Sequence, residues 1–329
     1  MTAPLQPVPM RHRAGHTGYA RGWYAVAAVD DLRADTLLPL YWLDLQLVAY
    51  RTAAGAAQVA DAYCPHLGAH LASHDGAVLN GELTCPFHKW RWDGATGRCS
   101  HIPYASALPP GNVRLTLHPT REVDGDVLMW HDPAGGAPDF EPYASPAFRD
   151  GGWVLFDRRT VDTTCPFPDI FENLFDSAHI VQLHGARQSP QLTHLSPTPH
   201  GLQMEYGVDA DAEEAALERI ALEFTGITRM SQHYTGRGWE ALFFIDLTPL
   251  DFETTRQHYR LYLKDLGSAA AHEALGKPFV ERFVYEVQQD MKVINFKKHL
   301  PTPRLCRADG PIYQYRAYAA QYYPATPCA

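Results

Sequence analysis

At 329 residues, 46% of them hydrophobic and 20% charged, the chain has ordinary globular composition and length for roughly two domains, which excludes disorder as the starting assumption. Its formal charge of -9 offers no basic stripe for nucleic acid, so its partners are sought among small molecules and proteins. No run approaches the roughly 18 to 20 apolar residues of a membrane span, and Met1 to Gly15 has basic residues without a following apolar stretch. The expectation is a soluble, cytoplasmic protein without a membrane anchor.

In chain order, residues 1–19 read as an arm and residues 20–137 as an all-β domain. Its strands are expected at Gly22 to Ala28, at Leu45 to Tyr50 and Gln58 to Tyr63 around an Ala53 to Ala57 turn, at Val113 to His118 and at Val127 to Trp130. The stretch Asp132 to Pro146 is rich in proline and carries Gly135 and Gly136, which interrupt both helix and sheet and mark the boundary. Residues 138–329 form the second domain. A strand at Trp153 to Val161 leads to a helix at about Ile170 to His184, ended by Gly185. Strands follow near Met230 to Tyr234, Glu240 to Leu247 and Thr255 to Leu263. A long helix, about His272 to Lys298, carries Phe279, Phe283, Val287 and Ile294 on one stripe.

Six cysteines are too sparse over this length for a disulfide scaffold, and two sit beside histidines. Cys64-Pro65-His66 is followed, after eighteen residues, by Cys85-Pro86-Phe87-His88. Two thiolates and two imidazoles on two tight loops suit a [2Fe–2S] cluster with cysteines on one iron and histidines on the other. The alternative is a tetrahedral zinc site with the same ligand types. Cys99, Cys165, Cys306 and Cys328 lack such pairing and read as buried or surface thiols.

In the second domain, Asn173, Asp176 and His179 are spaced to share one helical face. His179 and His184 are five apart, about 140° out of phase on an ideal helix, so both reach one ion only if the helix distorts or ends between them. Two histidines and a carboxylate make a facial triad with open positions on iron, whereas a packing or capping pair is the plainer alternative. The closing helix offers Glu281, Glu286 and Asp290. Asp290 lies on the apolar stripe, where an unpaired carboxylate is costly, while Glu286 sits at its edge with a path to water.

The four residues Cys64, His66, Cys85 and His88, with Pro86, Phe87 and Trp90, resemble the Rieske motif of aromatic-ring and steroid oxygenases. The string Asn173-x2-Asp176-x2-His179-x4-His184 resembles the mononuclear iron signature of the same enzymes, in the same order. Further strings resemble 3-ketosteroid 9α-hydroxylases and cholesterol 7-desaturases: Tyr19 to Trp23, His101 to Ala105, Asp309 to Arg316 and Gln321 to Tyr323. In those hydroxylases the ligand aspartate is followed by an aromatic at the position of Ile294 and a lysine at that of Lys297; the lysine is kept here and the aromatic is not.

The resemblance implies an α+β chain: an N-terminal all-β Rieske [2Fe–2S] domain and a helix-grip catalytic domain of antiparallel sheet plus helices. It implies one cluster per chain on Cys64, His66, Cys85 and His88, and one mononuclear Fe(II) on His179, His184 and Asp290. Asn173 and Asp176 are the implied catalytic residues, Asp176 bridging His179 to the histidine matching His88 across the interface of a homotrimer. The implied activity is that of a terminal oxygenase, fed from NAD(P)H by a separate ferredoxin reductase with or without a ferredoxin between them. It would use O2 to hydroxylate or desaturate a hydrophobic, steroid-like polycycle. The chain itself has no Gly-rich dinucleotide fingerprint. The segment Gln188 to Leu275, expected to line the substrate pocket, matches no motif. The helix near the iron also resembles that of aminopyrrolnitrin oxygenase, which leaves natural-product tailoring as an alternative, and a Rieske electron carrier without turnover is the alternative of another class.

Overall fold

Alternation of apolar and polar residues between turn-forming stretches gives the first part of the chain short antiparallel strands. The computed structural model describes residues 16, 18–187, 191–207, 217–306 and 308–324, and divides the chain into two compact units. One is Trp23–Pro138. The other is Asp139–Ala329 together with the chain up to Gly22. Ala20 lies in the core of this second unit, the Arg21 N–H donates to the Tyr322 carbonyl at 2.7 Å, and its guanidinium pairs with Asp139 at 3.0 Å.

The first unit holds three sheets. β1 (Gly22–Ala28) pairs in the order β1-β11-β10 with β10 (Thr120–Val123) and β11 (Asp126–His131). β2 (Leu38–Trp42), β3 (Leu45–Arg51), β4 (Ala57–Asp61) and β9 (Leu117–His118) make a second, and β5 (Ala77–Leu79), β6 (Glu82–Thr84), β7 (Arg91–Asp93) and β8 (Cys99–His101) a third. The expected hairpin is present, with Arg51 opposite Ala57 and Gly55 at φ 81° in the turn. The expected strand at Val113 to His118 shrinks to Leu117–His118, because Leu115 instead donates its N–H to Gly97 and closes a loop.

In the second unit, α1 (Pro146–Arg149) precedes β12 (Trp153–Thr163). The expected single helix over 170–184 is two: α2 (Phe167–Glu172), a 3-10 turn at Asn173–Phe175, and α3 (Ser177–Gln182), broken at Asp176 with φ -97° and ψ 86°. Asp176 is the reason for the restart. Its Oδ1 accepts from the Ala178 N–H at 3.2 Å, so the residue caps α3 instead of continuing α2.

Seven antiparallel strands then form one sheet in the order β12-β18-β17-β16-β15-β14-β13. They are β13 (Gln191–Thr198), β14 (Gly201–Gly207), β15 (Leu217–Thr225), β16 (Arg229–Gly236), β17 (Trp239–Pro249) and β18 (Thr255–Lys264). α4 (Ala269–Ile294) starts under the Ser268 cap and ends at Ile294, four residues short of the expected limit. Phe279, Phe283 and Val287 pack against the core cluster that also holds Phe243, Tyr259 and Leu261 of the sheet. Gly276 lets the helix meet Phe156, since a Cβ there would lie 2.5 Å from that ring. Phe156 sits where β12 loses register between Leu155 and Asp157, a bulge that re-aims it. α5 (Ile312–Ala320), not anticipated as a helix, buries Ile312, Tyr315 and Ala319. The arrangement is α+β, with an all-β N-terminal unit and a sheet-plus-helix second unit.

Candidate functional site

Two groups of side chains carry chemistry, one in each unit. In the first unit the Cys64 and Cys85 loops share one backbone frame. Gly68 donates its N–H to the Cys64 carbonyl at 2.9 Å and Lys89 donates to that of Cys85 at 3.1 Å; the Cys64 and Cys85 amides donate back to Ala69 and Trp90, both at 2.9 Å. The different histidine offsets thus fit inside equivalent turns. Each turn needs a left-handed residue, supplied by Gly68 at φ 72° and Lys89 at φ 57°. Nothing lies within 4 Å of where a Gly68 Cβ would sit, so Gly68→Ala is expected to cost about 1 kcal/mol through backbone strain alone, read as a fall in thermal midpoint.

Both cysteines are buried, 2% exposed. Burial, and then the adjoining Cys85 thiol, push the Cys64 thiol up to about 11, against a hydrogen bond from the His66 backbone. Two neighbouring thiolates are unfavourable unless a cation draws them together. The His66 and His88 rings stand 4.9 Å apart, and His66 stacks on Trp90 at 4.2 Å and 9°. The Trp90 indole N–H donates to Tyr104 at 2.7 Å, and His88 Nδ1 is buried without a hydrogen-bond partner. Cys99 and Cys165 are buried and Cys306 is exposed, while Cys328 lies outside the described residues.

In the second unit the sequence-named residues converge. One donor atom from each of His179, His184 and Asp290 lies within 4.8 Å of the other two. α3 ends at Gln182, and Gly185, at φ 72°, donates back to Val181 at 3.2 Å, so His184 leaves the helix and turns toward His179. That is the ending the phase argument requires. The two rings are 5.0 Å apart at 78°.

Asp290 Oδ1 stands 3.1 Å from His184 Nε2, yet it is buried and makes no aligned hydrogen bond; His184 Nδ1 is likewise buried and unpaired. Ligands at about 2.1 Å from a metal and 90° apart are themselves about 3 Å apart, so this spacing suits two donors facing one ion. Burial pushes the Asp290 carboxyl up and the His184 imidazole down, each opposed by the other's charge. Glu286, the other acid weighed, is instead paired with Arg282 at 2.6 Å.

Orientation comes from the neighbours. His179 Nδ1 donates to the Asp176 carbonyl, which leaves Nε2 as the lone-pair nitrogen, with the Asn173 amide 3.3 Å from it. Arg282 donates to the His184 carbonyl at 3.1 Å. Within one chain the Asp176 carboxylate is spent on the α3 cap, and it is the Asp176 backbone that reaches His179.

Sequence reasoning missed an ionic strut beneath this site. Glu172 receives Lys297 at 2.7 Å and Arg316 at 2.5 Å, and Lys297 stands 3.4 Å from Asp169. Glu172 precedes Asn173, and Lys297 lies seven residues past Asp290, so the strut ties together both ligand-bearing segments. Burial alone raises the Glu172 carboxyl, but Arg316 and Lys297 outweigh it and hold it below its usual 4.5; Asp169, with the smaller share of Lys297, is raised by burial. Glu172→Gln is expected to cost about 2 kcal/mol, less than a wholly buried pair because Lys297 is 32% exposed. A depressed carboxyl stabilises above its unfolded value, so in urea titrations the deficit should be full above about pH 5 and fade as pH falls through 4.5 and below.

The three converging residues stand in a cavity of about 470 Å³. Its wall is mostly apolar, with Leu174, Ile220, Leu222, Phe279 and Phe283, and the strands of the sequence's unmatched segment supply Tyr206, Gln232 and Tyr234. Among the described residues no helix is long and apolar enough to cross a membrane.

Comparison with known proteins agrees with both groups. Residues 22–113 match the Rieske [2Fe-2S] domain, and residues 129–323 match the 3-Ketosteroid 9alpha-hydroxylase C-terminal domain. The chain is similar to a probable 3-ketosteroid-9-alpha-monooxygenase oxygenase component of Rhodococcus rhodochrous, 28% identical with 93% of this chain and 80% of that one covered. It is 35% identical to a cholesterol 7-desaturase of Xenopus laevis, over 93% of this chain and 72% of that protein. Its fold is that of apo dicamba monooxygenase (TM-score 0.68, 17% identity, 93% and 98% coverage) and of the caffeine-bound NdmA of Pseudomonas putida CBB5 (0.72, 18%, 91% and 89%).

Proposed function

Since the chain belongs to the Rieske oxygenases that carry a 3-ketosteroid 9α-hydroxylase C-terminal domain, and is thereby an oxidoreductase, we propose that it hydroxylates or desaturates a steroid-like polycycle as the terminal oxygenase of a multicomponent system. The observation that carries this reading is the convergence of His179, His184 and Asp290 on one wall of an apolar cavity. The buried Oδ1 of Asp290, without an aligned hydrogen bond and 3.1 Å from His184 Nε2, fits an ion there, and two imidazoles with one carboxylate are the donor set of non-haem Fe(II). Such iron supplies the O2-dependent oxidation. The names of the relatives, one for a ketosteroid and one for cholesterol, support a rigid fused-ring substrate.

The protein's own groups have distinct tasks. Cys64, Cys85, His66 and His88 hold the [2Fe–2S] cluster, and the mixed ligation sets a potential well above that of an all-cysteine cluster. Asp176 fixes the His179 tautomer through its backbone, leaving Nε2 for the metal. The Asn173 amide, 3.3 Å from that Nε2, stands beside the metal position and yields the lone pair to the ion. Phe279, Phe283 and Val287 exclude water and seat the apolar rings. Electrons come from NAD(P)H through a separate ferredoxin reductase, directly or by way of a ferredoxin. A cytoplasmic homotrimer completes the reading, in which Asp176 joins His179, through its backbone carbonyl, to the His88 of a neighbouring copy, through its carboxylate.

The electron-carrier alternative leaves the gathered triad and its cavity without a role. O2 uptake with a reductase and a steroid panel separates the two. The oxygenase reading expects uptake that rises when a ketosteroid or sterol is added; uptake unaffected by every steroid, with rapid cluster reduction, would favour the carrier.

A further inference from the structure

Strand alternation sets Met230, Gln232 and Tyr234 of β16 on one face, along the cavity wall. The Tyr234 hydroxyl donates to Gln232 Oε1, and Gln232 Nε2 points at Met230 Sδ, 3.8 Å away. A carboxamide has one carbonyl and two N–H hydrogens. Here the carbonyl is engaged by a phenol and the amide meets only a thioether, a weak acceptor. Turning the amide over would place its oxygen against sulfur, so the orientation with N–H presented is favoured. Gln232 is 7% exposed, which makes a poorly matched donor costly.

Gln257 on β18 repeats the device, with the Tyr259 hydroxyl on its oxygen and Met291 Sδ 3.6 Å from its nitrogen. It is wholly enclosed and lies at the metal end, where Met291 follows Asp290. Gln232 lies further along. It is in register with Phe243, whose ring packs 4.5 Å from Phe283, two helical turns before Asp290. At about 1.5 Å per residue the helix rises roughly 10 Å between Phe283 and Asp290, a span on the scale of a fused-ring skeleton.

We infer that Gln232 is a specificity-determining residue of this pocket, its amide anchoring a hydrogen-bond acceptor such as a ring ketone at one end of the substrate while the other end meets His179, His184 and Asp290. The inference rests on the oxygenase reading above and sharpens its substrate. A hydroxyl in the ketone's place can accept from the same amide, but its own hydrogen has to share the Gln232 oxygen with Tyr234, so the alcohol binds less well.

The test is equilibrium binding to the cluster-loaded protein of three steroids on one nucleus, bearing a ring ketone, the matching alcohol or neither. Wild type is expected to hold the ketone about tenfold tighter than the alcohol and tighter still than the deoxygenated steroid. Gln232→Met, which keeps the volume and removes the amide, should weaken the ketone about tenfold and leave the deoxygenated steroid unchanged. Equal affinities for all three in wild type overturn the anchor, even if the variant fails to fold, and leave the oxygenase reading standing. Failure of wild type to bind any of them overturns the anchor together with the steroid pocket.

Discussion

His179→Ala is expected to abolish turnover, by at least about 10³-fold, while the preparation keeps its cluster and its colour. The variant removes one of three donors from a site whose other two, His184 Nε2 and Asp290 Oδ1, stand 3.1 Å apart. An ion held by that remainder loses a ligand. The cluster ligands belong to a separate compact unit, so their iron should stay. Iron analysis should therefore show the loss of one iron per chain with acid-labile sulfide unchanged. Retained turnover would remove the mononuclear iron from His179.

Asp176→Asn should keep both kinds of iron and slow cluster-to-iron electron transfer by about 10- to 100-fold. The structure makes this substitution unusually clean. Asparagine caps a helix about as well as aspartate, so the bond to the Ala178 N–H survives, and the His179 hydrogen bond falls on the backbone carbonyl, which the change leaves in place. What disappears is one negative charge and one acceptor oxygen. Rapid-mixing reduction at unchanged metal content is the measurement, and an unchanged rate would confine Asp176 to capping.

The parts of the site that were legible in the sequence are those governed by local geometry. Cys64 with His66, and Cys85 with His88, lie within turns of six residues, so spacing alone displays them. The five-residue step from His179 to His184 announced a helix ending, and Gly185 provides it. Asp290 was legible for another reason: an acid on the apolar stripe of α4 needs a partner. The break at Asp176 was not foreseen, because the same residue type that continues a polar helix face also caps a helix.

Distance along the chain hid the rest. Glu172 and its cations are 125 and 144 residues apart, and nothing local to Glu172 signals them. Strands β5 to β8 are three residues each, too short for a period of two to be seen. β13 carries Pro197 and a half-exposed pattern that alternation reads poorly, whereas the buried spacing of Ile312, Tyr315 and Ala319 was a helical signal left unread. β16 and β18 were expected at nearly their observed places. Which of their amides face the cavity, and with what partners, depends on packing between strands and α4 that no single strand records.

The central claim is that one chain carries two different iron sites, and iron and acid-labile sulfide per chain of anaerobically purified protein test it most directly, with an EPR spectrum after dithionite reduction. About three irons and about two sulfides, with a Rieske-type signal, are the predicted result. About two irons and two sulfides under the same conditions would contradict it, leaving His179, His184 and Asp290 without a metal and the chain an electron carrier.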